Sequence, residues 1–325
     1  MSDVPHCHPP LILTHYNEGQ SHFPKKKNGT LMIEQSSLIG MSKLHGKTAL
    51  VTGATNGIGR YTAETLAALG ASVIVVGRNE SKTDEVVDAI HAAGGDARKA
   101  IADLSSQAEI RKLATHIKSE VDRLDILVNN AGAMFAKREE TVDGLEMTFA
   151  LNHLSYFMVT NLLMDLLKRS PSARIVSVSS EAQRSANIDF DDLQTSEGFT
   201  AIKAYGRSKL ANATFTYELA RRLQGTTVTA NCLHPGFVGT GFASNNGGMM
   251  KIGMSILKPF ILSIPKGADT PIWLSASPEM EGKSGGYYQK RQPIQSMPQS
   301  YDLDAQRRLW EASEVLTGLK AAVRG

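Results

Sequence analysis

The sequence predicts an α/β fold in a single domain: a doubly wound parallel sheet of about seven strands with helices on both faces. Three observations carry this. Short β-rich apolar runs alternate with segments of helical spacing from Lys47 onward. The runs are apolar on both alternating sets of positions, as strands covered on both faces must be. Residues 44–320 contain no linker and no repeat of solenoid length, which argues for one domain.

The elements follow in order. Thr48–Thr52 is a buried strand ended by Gly53. Gly57–Leu69 reads as a helix, with Ile58, Ala63, Leu66 and Leu69 near helical spacing and Gly70 as the stop. A strand (Ser72–Val76), a helix (Ser81–Ala93), a strand (Arg98–Ala102), a helix (Gln107–Val121) and a strand (Asp125–Val128) come next. A long helix is expected over Val142–Lys168, then a strand (Arg174–Ser179), a helix (Tyr205–Leu223) and a strand (Thr226–Leu233). Residues 1–40 stand apart. They hold His6, His8, His15 and His22, Pro9-Pro10 and Lys25-Lys26-Lys27, with no apolar periodicity. They lack the apolar core of a secretory signal and the arginines of a transit peptide. A flexible tail is expected, and a start at Met41 would remove it. His6-Cys7-His8 has no second ligand cluster at zinc spacing, so no metal is expected.

Composition excludes several classes. The 325 residues carry 35 Lys+Arg against 32 Asp+Glu, a formal +3, without the basic excess of a nucleic-acid binder. Hydrophobic residues at 42% and charged residues at 21% exclude disorder as the main state. Two cysteines, Cys7 and Cys232, are too few for a disulfide framework and fit a reducing compartment, so a cytoplasmic location is expected. The longest apolar stretch, Ile252–Ile264, is interrupted by Lys258 and Pro259 and is too short to span a bilayer.

The chemistry sits at strand ends. The first strand runs into Thr52-Gly53-Ala54-Thr55-Asn56-Gly57-Ile58-Gly59 and then a helix. Glycines here permit a tight turn and close backbone approach, and the helix aims its first N–H groups at a phosphate. Tyr205 and Lys209 lie four apart on one helix face. A nearby ammonium favours the phenolate, so the pair suits a tyrosine that gives and takes a proton. Ser180 follows a central strand end, where such sheets place ligands, with Ser179 as its rival. After the second strand there is no acid until Glu80. Arg78 is placed instead to pair with a ribose 2′-phosphate, with Lys82 one turn on.

The spacing Gly53-x-x-x-Gly57-x-Gly59 resembles the short-chain dehydrogenase/reductase family, whose fold is of the Rossmann type. The resemblance continues through Asn129-Asn130-Ala131-Gly132, Ser179-Ser180, Tyr205-x-x-x-Lys209 and Pro235-Gly236 over residues 44–320. Asp191-Asp192-Leu193-Gln194, Ser208-Lys209-Leu210-Ala211-Asn212, His234-Pro235-Gly236 and Leu309-Trp310-Glu311 look most like the retinol dehydrogenase and WW-domain oxidoreductase branch. Asn187–Phe199 is similar to that branch's insertion. The resemblance implies a catalytic set of Asn152, Ser180, Tyr205 and Lys209, with Asn152 holding a relay water. It implies cofactor contacts from Gly53, Thr55, Asn56, Gly57, Ile58, Gly59, Asp103, Leu104, Asn129, Ala131, Gly132, Pro235, Gly236, Val238 and Thr240, besides Tyr205 and Lys209. In that family the apolar, Met-rich stretch after Thr240, roughly over 240–265, covers the substrate, which implies a hydrophobic one; core packing of two short helices and shallow membrane contact are the alternatives.

The expected protein is thus an NAD(P)-dependent oxidoreductase that interconverts an alcohol and a hydrophobic carbonyl compound, an aldehyde, ketone, retinoid or steroid. NADP(H) is preferred through Arg78, with NAD(H) admitted. Pairing through the long helices, into a dimer or tetramer, is implied by the resemblance. The alternative is a nucleotide-binding regulatory or interaction protein on the same fold. It would keep the glycine turn and lack a catalytic residue, whereas all four are present.

Overall fold

A computed structural model of the protein describes residues 40–237 and 262–319. The expected tail, Val238, Thr240 and nearly all of the expected substrate cover lie outside the described residues.

Strands β1 (Thr48–Thr52), β2 (Ser72–Gly77), β3 (Asp96–Ile101), β4 (Ile126–Asn129), β5 (Ala173–Val178), β6 (Val228–Leu233), β7 (Tyr287–Gln289) and β8 (Gln292–Pro293) form one sheet. Their order is β3-β2-β1-β4-β5-β6-β7-β8. β1 to β7 run parallel and the two-residue β8 pairs antiparallel with β7. The order reverses between β1 and β4, so a crevice opens beyond their C-terminal ends.

Register and apolar sequence explain the layers. Leu50, Ile74, Leu127 and Ile175 stand in one row and feed the core on one face. Val51, Val75, Val128 and Val176 form the next row and feed the other face. The central strands β1, β2, β4 and β5 therefore bury both sets of their side chains, which is why the sequence shows continuous apolar runs there. Helices α1 (Gly57–Ala68), α2 (Glu80–Ala92) and α3 (Gln107–Glu120) match expectation within a residue or so at each end.

The expected helix over Val142–Lys168 is broken. Val142 is exposed in a loop, and the Glu146 carboxylate accepts from the N–H groups of Thr148 and Phe149, both at 2.7 Å. That cap starts the short α4 (Met147–Phe149). A π turn follows over Ala150–Leu154, then α5 (Ser155–Leu162) and α6 (Met164–Lys168). The wider turn carries Asn152, and π turns commonly mark functional positions. Helix α7 spans Ala201–Arg222, a turn earlier than expected, because Thr200 caps it through the Lys203 N–H at 3.2 Å.

Two further helices complete the layers: α8 (Ile264–Ala276), packed on α1, and α9 (Leu303–Thr317), packed on α7. In α9, Trp310 is buried against Phe157 of α5 (ring centroids 4.9 Å apart) and Phe215 of α7 (5.7 Å). Among the described residues no helix is long and apolar enough to cross a membrane.

Candidate active site

β1 ends in the glycine turn. Gly53 has φ 63°, and a Cβ added there would stand 2.8 Å from the Ala131 Cα. One on Gly59 would stand 2.3 Å from the Asn130 Nδ2 and 2.4 Å from the Gly53 carbonyl oxygen. Both positions therefore need glycine for the turn, α1 and the end of β4 to meet. Asn56 caps α1 by accepting from the Gly57 N–H at 2.8 Å, and the N–H groups of Ile58 and Gly59 stay at the open helix end. Thr52 and Asn130, neither singled out as a site residue from sequence, fasten the turn. The Thr52 hydroxyl accepts from the Asn130 and Ala131 N–H groups at 2.9 and 3.1 Å, and Asn130 Nδ2 donates to the Thr52 carbonyl at 2.9 Å. Asn129 is fully buried and its side chain donates to the Thr160 hydroxyl at 2.9 Å, so it braces α5 and does not face the crevice.

The rim of this cradle carries the remaining expected cofactor residues. Thr55 packs against the end of β2, where a Cβ on Gly77 would meet its methyl at 2.4 Å. Arg78 is exposed and makes no ion pair among the described residues. The first acid after β2, Glu80, is held by Lys99 at 2.9 Å. Asp103 accepts from the Ser105 N–H at 2.9 Å in the turn after β3, with Leu104 buried behind it. Pro235 and Gly236 leave β6, with Gly236 at φ 86°. The glycines that a Cβ would overfill and the open end of α1 together fit a dinucleotide.

The residues expected to react gather at the ends of β5 and β6. Ser179 is buried and its hydroxyl donates to the Lys209 carbonyl at 2.7 Å, which removes it from the crevice. Ser180 caps the 3₁₀ turn Glu181–Ser185, and a hydrogen bond joins its side chain to Tyr205. Burial pushes the Tyr205 phenol up to about 12, and the Ser180 hydrogen bond pulls the other way. The expected lowering of this phenol by Lys209 is therefore outweighed in the structure by loss of solvent. Burial also lowers the Lys209 ammonium to about 8. Lys209 Nζ donates to the Val178 carbonyl at 3.0 Å and lies 5.8 Å from the Tyr205 ring centre. A Cβ on Gly132 would come 3.3 Å from that nitrogen and 3.0 Å from Asn152 Oδ1, which brings Gly132, Asn152 and Lys209 into one cluster.

The Asn152 side chain is fully engaged. Its Oδ1 accepts from the Ala133 N–H at 2.9 Å, and its Nδ2 donates to the Ala133 carbonyl (3.0 Å) and the Ser208 hydroxyl (2.9 Å). Asn212 Nδ2 donates to the Asn152 carbonyl at 2.9 Å. His153 contacts Asn212 Oδ1 at 3.3 Å and the Ser313 hydroxyl of α9 at 3.0 Å, and burial lowers its imidazole to about 4. It is a neutral structural link from α9 to the site. His234 supports the other side, accepting the Glu181 N–H on Nδ1 at 3.0 Å, with burial lowering its basicity.

Comparison with known proteins agrees with this geometry. The family model for short chain dehydrogenases matches residues 47–250. Human "Retinol dehydrogenase 14" is 40% identical over 299 residues, 85% of this chain and 88% of that protein. Human "Polyprenol dehydrogenase" is 38% identical over 282 residues, 84% of this chain and 86% of that one. A crystal structure of an uncharacterised Mycobacterium paratuberculosis protein superposes with a TM-score of 0.71 at 30% identity, covering 87% of this chain and 97% of that one. The NADP complex of Pseudomonas aeruginosa RhlG gives a TM-score of 0.61 at 29% identity, covering 75% and 94%. The order of motifs, the strand order and these relatives lead to one conclusion: the chain belongs to the short-chain dehydrogenase/reductase family, in its retinol dehydrogenase-like branch.

Proposed function

We propose that the protein is an NADP(H)-preferring oxidoreductase that interconverts a hydrophobic alcohol and its aldehyde or ketone. The observation that carries this is the cluster of Ser180, Tyr205 and Lys209 at the strand ends beside the glycine turn. The cofactor supplies or accepts the hydride when bound. Gly53, Asn56, Ile58 and Gly59 would hold its phosphates, and Arg78 its 2′-phosphate. In reduction, Tyr205 donates its phenolic proton to the carbonyl oxygen, which the Ser180 hydroxyl positions. In oxidation the phenolate takes the alcohol proton, and the Lys209 charge favours that phenolate. Asn152 holds the loop at Ala133, and its carbonyl keeps a lone pair for a relay water.

The hydrophobic substrate class rests on the Met-rich stretch after Thr240 and on relatives named for retinol and polyprenol. A cytoplasmic location and assembly into two or four copies belong to the same reading. Helix α9 covers α7, so copies would meet through other surfaces. The test is loss of NADPH absorbance with a panel of retinoid, polyprenal and long-chain carbonyl compounds. Tyr205→Phe should lower kcat by about a hundredfold or more while NADPH binding persists. A variant with near-normal kcat would remove Tyr205 from the proton path.

A further inference from the structure

Lys209 is a buried cation with little to hold it. The residue is 3% exposed, and its ammonium donates to the Val178 carbonyl at 3.0 Å, its one hydrogen bond among the described residues. Among the described residues no carboxylate pairs with it. Burying an ammonium this way is costly unless something else offsets its charge. Two tyrosines flank it. Its nitrogen lies 5.4 Å from the ring centre of Tyr156 and 5.8 Å from that of Tyr205. Both distances fall within the range in which a ring's negative face attracts a cation.

Tyr205 is the proton-transfer group of the proposed function, so its ring is there for chemistry. Tyr156 has no such role. It stands on α5, 1% exposed, and its hydroxyl reaches the same Val178 carbonyl at 3.5 Å. The ring faces one side of the ammonium while the carbonyl takes another. We propose that Tyr156 is a positioning residue of this site, whose ring face supports the charged Lys209 ammonium beside Tyr205. Tyr205 from α7 and Cys232 from β6 are the other titratable groups facing this cluster. Burial pushes the Cys232 thiol up to about 12, and the phenol of Tyr156 is likewise raised by burial and by Tyr205. All three are neutral at physiological pH, so beside the Val178 carbonyl it is the ring face that favours the cation. The consequence for turnover rests on the proposed function. The support of the ammonium does not.

The test reads Lys209 directly in the ligand-free protein. Lysine labelled with ¹³C at Cε is titrated by NMR, and the Lys209 signal is the one missing in Lys209→Arg. The wild-type midpoint is expected at about 8. Tyr156→Phe keeps the ring and should stay close to it. Tyr156→Leu removes the ring and should lower the midpoint by about one unit, a tenfold weaker hold on the proton. Tyr156→pentafluoro-Phe keeps the shape and removes the negative ring face. It should show the same fall, and it decides the matter if the Leu variant does not fold. Equal midpoints for the Phe and pentafluoro-Phe variants, or a rise in the Leu variant, would overturn the proposal. If Tyr205→Phe turns over normally while these midpoints move as expected, the proposed function fails and the support of Lys209 stands.

Discussion

At the scale of residues, the site divides into groups that face the crevice and groups that hold them. Ser179 and Ser180 are adjacent and chemically identical, yet one hydroxyl is spent on the Lys209 carbonyl and the other reaches Tyr205. That division follows from the side-chain alternation at a strand end, which sequence alone left between two candidates. The elevated Tyr205 phenol sets a pH signature. Its protonated form is resident at neutral pH, which suits reduction, whereas oxidation needs the phenolate. Initial rates of alcohol oxidation should rise through alkaline pH, and carbonyl reduction should fall as the phenol ionises. Oxidation rates that are flat from neutral to alkaline pH would count against Tyr205 as the base. The place of Arg78 is read directly from which residue follows β2. The structure adds that the nearest acid, Glu80, is taken by Lys99. Arg78→Ala should therefore weaken NADPH binding by about ten- to a hundredfold, the scale of a lost charge-assisted contact, and leave NADH nearly untouched. Fluorescence titration with both cofactors checks this; equal losses would refute the assignment.

Elements were legible wherever hydrophobic spacing dominates. β1, α1, β2, α2 and α3 fall where their apolar positions put them. The break at Ala150–Leu154 was hidden, because a π turn adds one residue without changing polarity in any readable way. Helix α8 was hidden for another reason. Its sequence, IPKGADTPIWLSA, holds two prolines and a glycine that read as loop, and Pro271 sits inside the helix. Burial of Ile264, Ala268, Ile272 and Trp273 overrides that propensity. The insertion after Ser185 is pinned by Arg207 of α7, buried, whose guanidinium donates to the carbonyls of Asn187 and Asp192 and to the Thr195 hydroxyl. Next to it, Gly206 lets α7 approach the turn after Ser180. A Cβ there would stand 2.8 Å from the Ala182 carbonyl oxygen. Gly206→Ala should therefore push Tyr205 and Ser180 apart, lowering kcat by about tenfold or more with cofactor binding kept. Steady-state kinetics beside cofactor titration separate the two effects; a parallel loss of cofactor affinity would point to wider disruption.

At the scale of the whole molecule, the sheet and both helical layers could be read from the alternation of elements, but the closure of the core by α9 could not. That closure depends on Trp310 meeting Phe157 and Phe215 across long stretches of chain, which no local spacing records. Arg222 also lies over the Trp310 ring, 4.1 Å from its centre. Trp310→Ala should destabilise the fold by about 3–5 kcal/mol, read as a lower denaturant midpoint at an unchanged slope. A loss below about 1 kcal/mol would show that α9 is peripheral. The position of α9 after all the described strands also bears on synthesis. The aromatic faces of α5 and α7, and the buried His153, receive their cover from residues made only after all the described strands. Until then a nascent chain carries strands β1 to β8 with an open apolar flank, the condition in which chaperones bind and neighbouring chains stick together. Tyr205 and Lys209 share α7 with the Phe215 that Trp310 covers, so cofactor binding should appear only once α9 has been made and has docked.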